Sequence, residues 1–219
     1  AYDDRDPAVS ERAVAHARAH GVDAFVFGVF WCRGKRVFEA ALDRGFLASK
    51  AGSDFPFACM WANRMPRRVL PVRRADVPVI DSVTHYVLLP DWRGAQQQDY
   101  AERARISAER WPSFAERAAL PYMPSVATGW DASPRAADFG PARPDKYPWS
   151  PVIVDSTPAA FGRSLERALA FRSAYEVEDP LVFIASWNEW SEGHVLEPDE
   201  HFGYAYLEAV ASAREASAL

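Results

Sequence analysis

The sequence predicts an α/β fold of the (β/α)8, TIM-barrel-like kind, incomplete, with about five recognisable strands. Two observations carry this. Apolar, β-prone runs alternate with stretches of helical periodicity along the 219 residues, which implies parallel strands joined by helical crossovers. Those strand-like runs then end in aromatic and polar residues, whereas a doubly wound nucleotide binder concentrates its chemistry at a glycine-rich first turn. No Gly-x-Gly-x-x-Gly or Walker motif occurs.

Asp6-Pro7 ahead of 8–20 reads as a capped helix that Gly21 closes. Residues 22–31 form a nearly continuous apolar run, the mark of a strand covered on both faces. Helix is expected over 35–49, strand over 55–61 and strand over 83–89. Residues 96–110 have helical spacing that Trp111-Pro112 disturbs, with a short second piece over 113–119. A strand over 121–127 leads into a long Pro-, Gly- and Asp-rich loop over 128–151, which contains Trp130, Tyr147 and Trp149 and is expected to face substrate. Helix over 157–175, strand over 181–187 and helix over 203–217 complete the pattern. A full barrel has eight strands in ~250 residues, so the count falls short.

About half the residues are apolar and a quarter charged, with a formal net charge of -5. That balance predicts one domain over 1–219 and argues against nucleic-acid or anionic-membrane partners, which require a basic face. A neutral or cationic substrate is expected. No apolar run reaches the ~18 to 20 residues of a membrane helix, and the first residues are not a signal peptide. The start at Ala1, a few residues before a helix, leads us to expect further sequence upstream. Cys32 and Cys59 lie inside apolar runs and read as buried thiols, which assigns no compartment; the cytoplasm is the default. Oligomeric state is not legible.

The rim residues point to carbohydrate. Trp31 ends the first strand, Trp61-Ala62-Asn63 the second, His85-Tyr86 lies in the third, Trp130-Asp131 comes after the fourth, and Trp187-Asn188-Glu189 ends the last. An indole at a strand end can stack on the C–H face of a pyranose while nearby amides and carboxylates bind hydroxyls; one such indole alone equally well packs the barrel mouth. Glu189 and Glu192, three residues apart in a turn that Gly193 can close, form the candidate catalytic pair, because glycoside cleavage uses one protonated and one ionised carboxyl. Trp187 and Trp190 offer apolar surface able to separate their roles. Asn188 either binds a hydroxyl or caps the loop, and Glu197 either binds sugar or starts a turn. His194 and His201 match no zinc spacing, so no metal and no cofactor is expected, and His194 joins His85 and Tyr86 as a candidate substrate contact. Arg64, Arg67, Arg68, Arg73 and Arg74 form a basic cluster that reads as a solvated loop or as a phosphate contact.

These motifs resemble a family. Residues 187–193, then Leu196-Glu197-Pro198-Asp199 and Gly203-Tyr204-Ala205-Tyr206-Leu207-Glu208, are similar to the C-terminal signature of glycoside hydrolase family 99-like, or WbsX-like, bacterial proteins. Asp54-Phe55-Pro56-Phe57 with Trp61-Ala62-Asn63, and Gly21-Val22-Asp23-Ala24-Phe25 preceded by residues 2–7, match further motifs. The resemblance implies a (β/α)8 barrel and places the two catalytic carboxylates on Glu189 and Glu192. In the characterised enzymes, endo-acting α-mannosidases and α-mannanases, the first carboxylate assists the sugar's own 2-hydroxyl as nucleophile. The second serves as general acid and base, configuration is retained and no metal takes part. WbsX-like relatives are associated with lipopolysaccharide or O-antigen biosynthesis and have been labelled glycosyltransferases. Against the family pattern, a first strand upstream and a middle region before 81–84 are missing, so an internal deletion is expected near 76–84. The resemblance therefore implies a retaining glycoside hydrolase acting on mannose-like polysaccharide. Alternatives are a glycosyltransferase of lipopolysaccharide biosynthesis, or a carbohydrate-binding remnant without catalysis.

Overall fold

The computed structural model describes residues 2–32, 35–61, 80–140, 142–175 and 180–217, with side chains 31, 32, 35, 53 and 61 excepted. Contacts divide the chain into two compact units, Ala1–Pro78 and Val79–Leu219. The expected Asn63 contact and the Arg64 to Arg74 cluster lie outside the described residues, as do the side chains of Trp31 and Trp61.

In the first unit, α1 (Pro7–Ala19) starts where the Asp6 side chain accepts the Ala8 N–H at 2.9 Å and Pro7 occupies the first turn. Gly21, at φ 79°, supplies the left-handed residue that ends it. β1 (Phe25–Cys32) pairs antiparallel with β2 (Lys35–Val37) and parallel with β3 (Phe57–Trp61), giving the order β2-β1-β3. Phe46 and Phe55 are buried, and Phe25 lies edge-on to both, at 6.2 and 5.0 Å. Of the helix expected over 35–49, only a short piece forms. Residues 35–37 gain ladder bonds from β1 instead, and the next element is a π-helical turn, Ala41–Phe46. Gly45 sits in that turn because a β-carbon there would lie 2.0 Å from the Asp4 carbonyl oxygen.

The second unit carries β4 (Val83–Thr84), β5 (Gln97–Asp99), α2 (Tyr100–Glu109), α3 (Trp111–Arg117), β6 (Tyr122–Met123) and β7 (Ser125–Val126). It continues with β8 (Val152–Val154), α4 (Pro158–Ala174), β9 (Phe183–Ile184), β10 (Asn188–Glu189), β11 (His194–Val195) and α5 (Ala205–Ser217). β6 pairs parallel with β4, β7 with β9, and β5 with β8. The strand expected over 121–127 is thus two short pieces. Pro124 has no N–H to give the ladder, yet its carbonyl accepts from Phe183 at 2.9 Å, so the chain stays extended through the break. β8 departs from the sequence pattern, since 152–154 closes a Pro-rich loop, and β5 takes the first residues of what reads as one helix. Asp99 resolves that boundary by capping α2 through the Glu102 N–H at 2.7 Å.

Helices pack on these strands through fully buried side chains. The Tyr100 hydroxyl donates to the Ala127 carbonyl at 2.7 Å, and Phe161 of α4 meets Tyr206 of α5 edge-on at 5.6 Å. No helix among the described residues is long and apolar enough to cross a membrane.

His85 pins β4 to its neighbours. The Ser125 carbonyl can only accept, so Nε2 carries the proton and donates to it at 3.0 Å, leaving Nδ1 to accept from the Tyr122 hydroxyl at 2.7 Å. The imidazole is therefore neutral, and burial pushes its pKa down from 6.5 to about 4, with the charge of Arg110 acting in the same direction. An unfolded chain binds this proton at higher pH than the folded one does. The contribution is thus complete above pH 6.5 and is lost as pH falls towards 4, amounting to about 3 kcal/mol. Urea unfolding of the parent and of His85→Gln at neutral and acid pH tests this: the parent should lose more stability on acidification, and equal losses would contradict it.

Candidate active site

The site is built on the hairpin of β10 and β11, whose register pairs Glu189 with His194 and Asn188 with Val195. Between them, Trp190–Glu192 forms a 3-10 turn that Gly193 closes at φ 65°, a left-handed conformation that glycine adopts without strain. Space demands glycine as well: a β-carbon at this position would lie 2.8 Å from the Asp131 backbone nitrogen. That close approach lets the Asp131 N–H donate to the Glu192 carbonyl at 2.8 Å. The Asp131 carboxylate meanwhile accepts the Ser133 N–H at 2.9 Å, starting the 3-10 segment Ser133–Phe139.

Arg135 projects from that segment onto both glutamates. Its Nη1 lies 2.8 Å from Glu192 Oε1 and its Nη2 lies 3.1 Å from Glu189 Oε1. One planar fork thus spans the pair, inside the ~10 Å reach of two carboxyls that flank one glycosidic bond. Two further donors are used: Nε donates to Ser191 Oγ at 2.9 Å and Nη1 to the Tyr147 hydroxyl at 3.0 Å. Burial alone would lower the Arg135 pKa, but the Tyr147 bond and the charges of Glu192 and Glu189 raise it on balance.

The two carboxylates differ in surroundings. Glu189 is one-third exposed, at 33%; its Oε1 accepts from Arg135 and Ser191, while Oε2 takes no hydrogen bond among the described residues. Glu192 is 3% exposed, with Oε2 3.3 Å from His194 Nε2. His194 is buried, stacked on Trp130 at 5.7 Å and met edge-on by Tyr86, whose hydroxyl lies 3.2 Å from the same Nε2. Its Nδ1 has no hydrogen-bond partner among the described residues; a bare lone pair is cheaper to bury than an N–H, which places the proton on Nε2 facing Glu192.

Aromatic surface continues outward. Trp92, more than half exposed, stands edge-on to Trp130 at 5.7 Å and tilted against Tyr147 at 6.3 Å. Trp190, also exposed, donates its indole N–H to Glu197. The structure thus brings Tyr86, Trp130, Asp131, Glu189, Glu192 and His194 into one cluster, with Trp190 and Glu197 on its rim. Trp187 and Asn188 stand on the same hairpin, half-buried; the Trp187 carbonyl accepts from Leu196 and Glu197. His85, next to Tyr86 and just beyond β4, has both ring nitrogens occupied within the protein. A cavity of about 340 Å3 on its side is lined by Val83, Thr84, Phe114, Arg117, Ala118 and Tyr122 and contains no carboxylate.

Sequence reasoning passes over Arg135, Trp92 and Ser191. Asp131-Ala132-Ser133-Pro134-Arg135 carries a legible turn start, but which distant charge its arginine meets is a tertiary matter.

The fold is of the α/β, TIM-barrel-like class, with no closed barrel among the described residues. The sequence profile described as glycosyltransferase WbsX matches residues 1–79 and 83–210, and the chain belongs to that family. Among individual proteins, it is similar to the uncharacterized protein WxcX of two Xanthomonas campestris pv. campestris strains, B100 and ATCC 33913, at 36% identity over 91 residues. That stretch is 41% of this chain and 12% of the length of those relatives. Among solved structures, the GH99 endo-alpha-mannosidase from Bacteroides thetaiotaomicron in complex with bis-tris-propane superposes with a TM-score of 0.54 at 14% identity. The superposition covers 99% of this chain and 85% of that one. A second structure of the GH99 enzyme from that organism gives a TM-score of 0.53 at 12% identity, covering 99% and 81%. At these identities the likeness concerns the fold.

Because the turn that carries both glutamates needs a left-handed residue without a β-carbon, Gly193→Ala should lower unfolding free energy by about 1 to 3 kcal/mol. Chemical denaturation measures this, and an unchanged midpoint would contradict it.

Proposed function

We propose that this glycan-processing domain is a retaining glycoside hydrolase-like catalyst acting on mannose-like polysaccharide, with Glu189 and Glu192 as its carboxyl pair. The observation that carries the reading is the pair itself: two carboxylates on one guanidinium fork, one exposed and one buried, beside aromatic surface. Glu189 Oε2 is the oxygen available to a sugar hydroxyl. In the reaction that the GH99 likeness suggests, it accepts the 2-hydroxyl proton as O2 attacks the anomeric carbon, while Glu192 protonates the departing glycosidic oxygen. Glu192 then deprotonates the water that opens the anhydro-sugar, and Glu189 returns its proton to O2. Arg135 lies over Glu192 and pairs with its carboxylate, so the acid step requires Glu192 to take up a proton as substrate binds and Nη1 to yield Oε1 to the glycosidic oxygen.

The charge balance favours this over transfer from a sugar nucleotide. Arg135 is already neutralised by two carboxylates, so the cluster carries net negative charge and suits a neutral sugar better than a diphosphate. The family name keeps the transferase reading in view. Consumption of a sugar nucleotide with glycosyl transfer to an acceptor would establish it, and glycan binding without turnover would mark a binding remnant. The single-domain organisation over 1–219 and the deletion near 76–84 belong to the same proposal.

Hydrolysis of α-linked mannosides by the parent, Glu189→Gln and Glu192→Gln tests the pair. Each variant should lose at least about 100-fold in kcat/KM. A Glu192→Gln protein as fast as the parent would remove Glu192 from catalysis.

A further inference from the structure

Arg135 touches both glutamates, and nothing about the proposed reaction by itself requires it. Two carboxylates this close repel one another, and burying Glu192 without a counterion would carry a large desolvation cost. The fork answers both problems at once, and a lysine cannot reproduce it, because an ammonium is a point charge without the planar two-ended geometry. Ser191 fixes the direction of the fork by accepting from Nε while donating to Glu189 Oε1. Tyr147 meets Nη1 from the outer side. The backbone is held as well, since the segment bearing Arg135 and the turn bearing the glutamates share the Asp131 to Glu192 hydrogen bond.

Resting on the hydrolase reading, we infer that Arg135 is a positioning residue of the reaction: it sets the spacing of Glu189 and Glu192 and serves as their common counterion. It acts through the carboxylates and not by holding the sugar. Removing it therefore affects turnover more than binding, and its contribution to stability depends on the charge of Glu192.

The experiment compares the parent with Arg135→Lys, Arg135→Gln, Glu192→Gln and the Arg135→Gln/Glu192→Gln double variant. Arg135→Gln should lower Tm by roughly 5 to 10 °C, as expected on removing the guanidinium from a buried carboxylate. The same change made in the Glu192→Gln background should lower it by less than half as much, because no buried carboxylate then loses its guanidinium. A packing role alone would give equal losses in both backgrounds and would overturn the inference. On an aryl α-mannoside, kcat should fall about 100-fold in Arg135→Gln with KM little changed, and Arg135→Lys should recover part of the loss. A raised KM with kcat intact would make Arg135 a substrate-binding residue and would equally overturn it. Should the parent hydrolyse no glycan, the hydrolase reading fails, and the Tm cycle still decides whether Arg135 is the counterion of the pair.

Discussion

A left-handed turn at Gly193 brings the Glu192 carbonyl to within 2.8 Å of the Asp131 amide, and that contact sets the positions of the charged groups. Asp131 uses its backbone to hold the glutamate turn and its side chain to start the segment that bears Arg135. Arg135 and its two partners are thus registered through main-chain geometry, with the long side chains left only the last few ångströms to settle. Such support is what keeps a constellation of flexible residues in one arrangement. Replace the turn and both the fork and the buried glutamate lose their place.

Electrostatics and burial then divide the labour. All of the clustered groups belong to Val79–Leu219. Glu192 is buried against His194, which stacks on Trp130, whereas the Glu189 side chain is one-third exposed. An inner and an outer carboxylate thus stand in different surroundings, the difference on which the proposed acid and base roles rest. The exposed indoles of Trp92 and Trp190 extend the site with surfaces that suit the C–H faces of a sugar.

Much of this is legible in the sequence, and the reasons for the rest are specific. Pro7 and Asp6 announce α1, Thr157-Pro158 announces α4, and the structure starts both helices there. The fold class comes from the alternation of elements, and the family from motifs at both ends of the chain. Strand lengths do not. Residues 83–89 read as one strand, yet ladder bonds cover only Val83–Thr84, because local β-propensity does not say where a partner strand ends. Lys35–Val37 escapes recognition as a strand because its pairing with β1 outweighs a weak helical pattern. The glutamates are visible through their strand and their glycine, but Arg135 is not: 54 residues separate it from Glu189, and no local pattern records such a pairing.

The proposed function has a neutral glycan dock on Glu189 through Oε2, within the aromatic surroundings of Trp92 and Trp190. A crystal structure of the protein with a mannose-configured oligosaccharide tests it most directly. The account predicts a sugar ring lying on one of those indoles with a hydroxyl in hydrogen-bond reach of Glu189 Oε2. A sugar bound instead in the cavity between Phe114 and Tyr122, with Glu189 untouched, would contradict it.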